Sequence, residues 1–244
     1  MRAVLACVLA IWSSVSLAQC RQALALALDV SGSVDGTEYR LQLDGVAAAL
    51  DHPRVRAAIL SRLETPVDVL IYEWSAPEFQ RDLVPWTAIR NPAALNGVIS
   101  TLRTTQRVVA PKGTGLGSAI ETGAARLVTH RPCWIRTLDV SGDGKHNMGP
   151  DPQDLKPGLR AAGITVNALV IGADDPHPGD HRQQDIAGLS SYFRAFVISG
   201  SGAFVETAIG YADYEAAMVR KLLRELQGLP VAQAVSPDIS AADQ

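Results

Sequence analysis

The chain has 244 residues, 47% of them apolar and 19% charged, which gives it the means to bury one sizeable core and excludes a disordered protein. A net charge of −3 with no basic run excludes nucleic acid as the expected partner.

The amino terminus reads as a targeting segment. Arg2 supplies the positive end, Ala3 to Leu17 is apolar, and Ser16-Leu17-Ala18 fits a small-x-small cleavage site. The expectation is a signal peptide over residues 1–18 and a mature chain starting at Gln19. A lipoprotein reading through Cys20 fits less well, because bulky Gln19 stands where a small residue is wanted. No other run approaches the length of a membrane span. Cleavage removes Cys7 and leaves Cys20 and Cys133. In an oxidising compartment an even count points to one disulfide, the alternative being two buried thiols. Each cysteine precedes an apolar strand at nearly the same distance from that strand's polar end. If the two strands are parallel neighbours, the sulfurs meet at one sheet edge, which favours the bridge.

Ala23 to Leu28 has the length of a strand buried on both faces, although Ala and Leu alone also suit a helix. Its ending, Asp29-Val30-Ser31-Gly32-Ser33, decides for the strand. A carboxylate and two hydroxyls then stand at the carboxyl edge of a sheet, where open α/β sheets bind ligands. Gly32 is expected to give the turn its freedom. Converging hard oxygens suit Mg²⁺, Mn²⁺ or Ca²⁺ rather than a soft metal. Taken alone, these residues also fit a plain helix cap.

Asp35 and Glu38 have capping-box spacing ahead of a helix through Tyr39, Leu43, Val46 and Leu50, and Pro53 to Leu60 reads as a second helical turn. Val67 to Trp74 is a second buried strand. Phe79 to Trp86 is an edge strand, since Pro85 removes a ladder hydrogen bond. Asn91-Pro92 opens a helix to about Leu102. Lys112 to Ser118 is a glycine-rich loop entering the helix Ala119 to Val128. It lacks the order and strand context of a nucleotide loop, and its other use is to bring the Thr114 hydroxyl to something already bound. Trp134 to Val140 is a strand broken by Ser141-Gly142-Asp143-Gly144. A helix capped by Asp151 follows, with Pro152 at its first position, then the strand Ile164 to Ile171. A helix around Gln184 to Leu189, a last strand over Phe193 to Ser199 and an amphipathic helix over Tyr214 to Leu226 complete the mature chain. Residues 229–244 read as a loose tail. Alternating strands and helices predict one α/β domain: a doubly wound, mostly parallel sheet flanked by helices, with one short antiparallel edge strand.

Asp29-x-Ser31-x-Ser33, Thr114 in Gly-Thr-Gly and Asp143 in Ser-Gly-Asp-Gly, in that order and at strand ends and helix starts, resemble the metal-ion-dependent adhesion site of von Willebrand factor A domains. The resemblance spans residues 19–228. The segments Gly200 to Val205 and Lys221 to Glu225 further resemble a bacterial subfamily of exported A-like domains without an assigned function. By resemblance, Ser31 and Ser33 bind the metal directly, Thr114 directly or through water, and Asp29 and Asp143 directly or through coordinated waters. The family's common Thr-Asp-Gly stands here as Ser141-Gly142-Asp143-Gly144, and Asp139 is the alternative carboxylate. The implied cofactor is a divalent cation, Mg²⁺ before Mn²⁺ or Ca²⁺. The implied partner is a protein whose Asp or Glu completes the metal shell, and the implied location is the bacterial periplasm or the extracellular space. No catalytic residue is assigned, because no Gly-x-Ser-x-Gly elbow or His-Glu-x-x-His is present. A metal-assisted hydrolase on the same site and a structural module without an ion are the competing readings. Glu73, Ser75, Asp139, His146, Asp175 and His177 are expected at the rim. Asp174, Asp175, His177, Asp180 and His181 form a loop cluster that reads as a solvated or partner-contacting loop before a second metal site.

Overall fold

The computed structural model describes residues 20–172 and 186–227. The strands β1 (Cys20–Asp29), β2 (Val67–Trp74), β3 (Gln80–Ala88), β4 (Cys133–Gly142), β5 (Ile164–Ile171) and β6 (Val205–Ala208) form one sheet in the order β3-β2-β1-β4-β5-β6. All neighbours pair in parallel except β2 and β3. Between them run α1 (Gly36–Asp51), α2 (Pro53–Ile59), α3 (Pro92–Thr104), α4 (Leu116–Thr129), α5 (Pro152–Ala161), α6 (Ile186–Tyr192) and α7 (Tyr214–Gln227). Helices α1, α2, α3 and α7 pack on one face of the sheet, and α4, α5 and α6 on the other.

The Leu-Ala run of β1 divides its residues between the two faces. Leu24, Leu26 and Leu28 enter the core under α1 and α7, while Ala23, Ala25 and Ala27 enter the core under α4. The small residues let α4 come close, and the Tyr72 hydroxyl donates to the Ala119 carbonyl at 2.6 Å. The α1 cap forms as its spacing predicts: Asp35 accepts from the Thr37 and Glu38 amides at 2.7 and 2.8 Å, and Glu38 accepts from the Asp35 amide at 2.7 Å. Strand β3 is the antiparallel edge. Its ladder pairs Val84 with Ile71 and Thr87 with Val69, so Pro85 and Trp86 sit in the irregularity between them.

The predicted last strand over Phe193 to Ser199 is not a strand. Phe193–Val197 continues α6 as one π-helical turn, closed by the Ile198 amide on the Phe193 carbonyl at 3.0 Å. Phe193 and Val197, four residues apart, both face the core, which is a helical and not an alternating pattern. Only Ser199 reaches the sheet, through a single antiparallel bridge to Val166. The sixth strand comes later, at Val205–Ala208. Of the helix expected around Gln184 to Leu189, the described part is Ile186–Tyr192, and residues 1–18 and 229–244 lie outside the described residues.

At the amino edge, Cys20 and Cys133 are direct partners in the β1–β4 register and are joined as a disulfide, their Cα atoms 4.7 Å apart across 113 residues of sequence. Beside it, Asp68 takes both Arg131 Nε and Nη2 at 2.5 Å and His130 Nε2 at 2.7 Å, and His130 stacks on Trp86 with ring centroids 4.1 Å apart.

Helix α7 is locked to the sheet by charge. The Lys221 ammonium, fully buried, lies 2.5 Å from Asp139 on β4 and 2.7 Å from Glu225 one turn on. Glu225 also accepts from Asn167 of β5 at 2.7 Å. Burial pushes the Asp139 carboxyl up to about 7 against the pull of Lys221. Burial disfavours the Lys221 charge, but the two carboxylates more than reverse this and its pKa rises.

Two outcomes follow. Lys221→Met leaves two acids buried without their cation and costs about 3–5 kcal/mol in urea unfolding. Cys20→Ser, or thiol reduction of the native protein, costs up to about 4–5 kcal/mol in the chain-entropy account, read as a fall in the urea midpoint.

Candidate metal centre

The strand order reverses between β1 and β4, the place where doubly wound sheets open a crevice at their carboxyl ends. Both strands lead into an acid there: β1 ends in Asp29, and Asp143 follows β4 directly. Asp29 is wholly buried. Its Oδ1 accepts from the Ser31 backbone amide at 2.8 Å, and its backbone carbonyl accepts from Gln42 Nε2 of α1 at 2.9 Å. Its Oδ2 is buried without a hydrogen-bond partner among the described residues. Gly142 lies against that oxygen, for a Cβ there would stand 3.3 Å from it.

The hydroxyls close a chain around this carboxylate. Ser31 Oγ and Ser33 Oγ are 3.3 Å apart, and Ser33 Oγ donates to Asp143 Oδ1 at 2.6 Å. The extra glycine in Ser141-Gly142-Asp143-Gly144 therefore leaves the carboxylate within reach of the serines. Gly32 serves otherwise than expected. Its φ is not positive; it is small because a Cβ would stand 2.8 Å from Lys112 Cβ, and its amide donates to the Lys112 carbonyl at 3.0 Å. That contact draws the glycine-rich loop, and Thr114 with it, toward the serine turn.

Asn147 holds Thr114, and no motif in the sequence marks it. Its Oδ1 accepts from the Thr114 amide at 3.0 Å, its Nδ2 donates to Thr114 Oγ1 at 3.3 Å, and its own amide donates to the Thr114 carbonyl at 3.1 Å. Behind the loop, the Gly115 amide donates to the Ser75 carbonyl at 2.7 Å. Gly117 touches the Pro150 carbonyl so closely that a Cβ would stand 1.7 Å from its oxygen.

Burial first, and the Asp143 charge second, hold the Asp29 carboxyl well above the usual carboxylate range, against the hydrogen bonds from Ser31 and the pull of the Asp143 backbone amide. The same two acids, after burial, push the Tyr211 hydroxyl upward. Tyr211 stacks on Tyr214, centroids 6.3 Å apart, and Tyr214 Oη and Ser141 Oγ are 2.9 Å apart. The sequence ties neither tyrosine to the site, since only the chain's return after β6 brings them there.

Of the expected rim, Glu73 is buried, paired with Arg81 at 2.8 Å and accepting from Tyr39 Oη at 3.0 Å, so it is committed beneath the surface. Asp139 is no alternative ligand, because its carboxylate is on Lys221. Ser75 is buried and acts on the site through its carbonyl. His146 is half-buried, its backbone bonded to the Tyr192 hydroxyl. Asp174, Asp175, His177, Asp180 and His181 lie outside the described residues. A different cluster, Cys20, Asp68, His130 and Cys133, has its donor atoms within 4.8 Å of one another, but it sits at the amino edge and its sulfurs are bonded to each other.

Asp29, Ser31, Ser33 and Asp143 thus present hard oxygens around a buried carboxylate atom that makes no well-formed hydrogen bond among the described residues, a set that fits Mg²⁺, Mn²⁺ or Ca²⁺ and includes no soft ligand.

A family model described as a protein of unknown function (DUF1194) matches residues 19–230. No protein of curated function matches the sequence. Among solved structures, the chain is similar to proximal thread matrix protein 1 from the mussel byssus, with 15% identity over 86% of this chain and 49% of that one and a TM-score of 0.59. That protein has also been solved with a zinc-occupied MIDAS motif. The pilus adhesin SpaC of Lactobacillus rhamnosus GG is similar with 15% identity, a TM-score of 0.60, and coverage of 85% of this chain and 31% of that one. A von Willebrand factor type A structure from Catenulispora acidiphila gives 13% identity, a TM-score of 0.55, and coverage of 85% and 43%. The chain spans half or less of these proteins, and the likeness establishes the fold.

Asn147→Ala removes two hydrogen bonds to Thr114 while leaving the backbone contact. It lowers stability by about 1–2 kcal/mol in urea unfolding without added metal.

Proposed function

This chain belongs to the family of proteins of unknown function described as DUF1194, built on a von Willebrand factor A fold, and we propose that it is an exported, metal-dependent binding module. Asp29, Ser31, Ser33, Thr114 and Asp143 would hold one divalent cation, Mg²⁺ before Mn²⁺ or Ca²⁺. The observation that carries this reading is Asp29 Oδ2: a buried carboxylate oxygen with no well-formed hydrogen bond among the described residues, beside a chain of hydroxyls and a second carboxylate. An unsatisfied buried acceptor is costly, and a cation is the partner this donor set is suited to.

When bound, the ion supplies a point of positive charge that attracts an acidic group. The chain's own residues do the rest. Gln42 and the Ser31 amide fix Asp29, the Ser33–Asp143 bond fixes the serine turn, and Asn147 presents the Thr114 hydroxyl. Two carboxylates at most offset a divalent charge, so the completed site retains an appetite for one more acid, here an Asp or Glu of a protein partner. The disulfide and the amino-terminal targeting pattern support a location outside the cytoplasm, in the periplasm or beyond the cell.

Calorimetric titration of the mature protein with Mg²⁺ and Mn²⁺ is the test. One saturable site is expected, weakened at least about 100-fold in Asp29→Ala and Asp143→Ala and about 10-fold in Ser33→Ala. Unchanged affinity in Asp29→Ala overturns the metal reading. Metal-dependent turnover of ester or phosphoester substrates, lost in the same variants, transfers the site to hydrolysis.

A further inference from the structure

At the opposite end of β5 from the metal centre, a cavity of 560 Å³ opens between α5, the amino end of β5 and the loop after the π-helical turn. We propose that it binds a phosphate- or sulfate-type oxyanion.

The lining is rich in donors and holds no carboxylate among the described residues. Lys156 and Arg160 stand one helical turn apart on α5. Arg160 is exposed and makes no ion pair among the described residues, and Lys156 spends one proton on the Ala195 carbonyl at 2.7 Å. Burial first, and the nearby Arg160 charge second, lower the Lys156 pKa. Facing them, Ser199 is 5% exposed and its hydroxyl has no hydrogen-bond partner among the described residues. The Thr165 hydroxyl abuts Gly200, where a Cβ would stand 2.9 Å from it.

The loop Gly200-Ser201-Gly202 completes the arrangement. Gly200 and Gly202 have φ of 101° and 72°, values that favour glycine, and Gly200 and Ser201 line the cavity. The Ala203 amide closes this turn on the Gly200 carbonyl at 3.4 Å, while the Ser201 and Gly202 amides donate to no backbone carbonyl among the described residues. The lining thus offers two cations, the hydroxyls of Thr165, Ser199 and Ser201 and the spare Ser201 amide, with no carboxylate among the described residues to answer them. A tetrahedral oxyanion, all acceptor and charged, matches that imbalance better than a planar carboxylate with two oxygens. The cavity exceeds the ion itself and leaves room for a sugar, glycerol or similar unit that carries the group.

The test uses the mature protein in chelator, which keeps the metal centre out of the reading. Inorganic phosphate is titrated against the amide spectrum with chloride at matched ionic strength as control, and vesicles of phosphatidylglycerol or phosphatidylcholine are sedimented with the protein. Saturable shifts at Ser201 and Gly202 are expected with phosphate and not chloride, at least 10-fold weaker in the surface variants Arg160→Ala and Arg160→Glu, whose unfolding matches the parent. Phosphatidylglycerol binding that free phosphate displaces identifies a lipid headgroup as the source. Phosphate binding without vesicle binding identifies a soluble phosphate or sulfate compound. Equal response to chloride, no saturation, indifference to Arg160 or vesicle binding that phosphate does not displace overturns the proposal.

Discussion

The structure turns on the burial of one carboxylate. Asp29 ends a strand with no exposed face, and its Oδ2 has neither water-facing surface nor a hydrogen bond among the described residues. Placing a charge there is costly. The arrangement around it keeps that cost from being relieved by collapse. Gly142 leaves space against the oxygen, Gln42 holds the backbone from below, and the Ser33 hydroxyl is drawn toward Asp143 rather than onto Oδ2. A fold of this stability class tolerates few such points, and this one lies where the strand order reverses.

A second polar knot, Asp139 with Lys221, Glu225 and Asn167, does the opposite work. Its charges meet each other and fasten α7 across β4 and β5. The segments that carried the subfamily resemblance converge on it. Phe204, whose amide donates to Asn167 at 3.2 Å, lies under Arg224 at 3.8 Å and near Lys221 at 5.4 Å. Their distinctive residue types thus belong to the seating of the last helix and not to the candidate metal centre.

What was legible in the sequence followed from local chemistry. Buried strands announced themselves by continuous apolar runs, α1 by its capping box, the edge strand by Pro85, and the cysteine pair by its matched spacing from two strand ends. The Phe193 to Ser199 segment misled because its apolar residues fit either period over so short a span, and the true edge strand, Val205–Ala208, is four residues with only Ala208 buried. Asn147, Tyr211 and Gln42 were invisible for a different reason. Each acts on the site across a tertiary contact that no spacing encodes. Glu73 and Asp139 looked like rim acids by position on their strands, yet Arg81, the cross-strand partner of Glu73, and Lys221, distant in sequence, claim them.

The covalent tie between β1 and β4 has a reach longer than its own neighbourhood. Cys20 opposite Cys133 sets which residue of one strand lies beside which residue of the other along their shared length, and Asp29 and Asp143 leave from the far ends of those same strands. A slip of a single residue would carry one acid about 3.3 Å along the strand axis and turn it to the other side of the sheet. The bridge is thus a gauge for oxygens some nine residues away. Only a chain that has met an oxidant has its acids set to one spacing by a covalent bond.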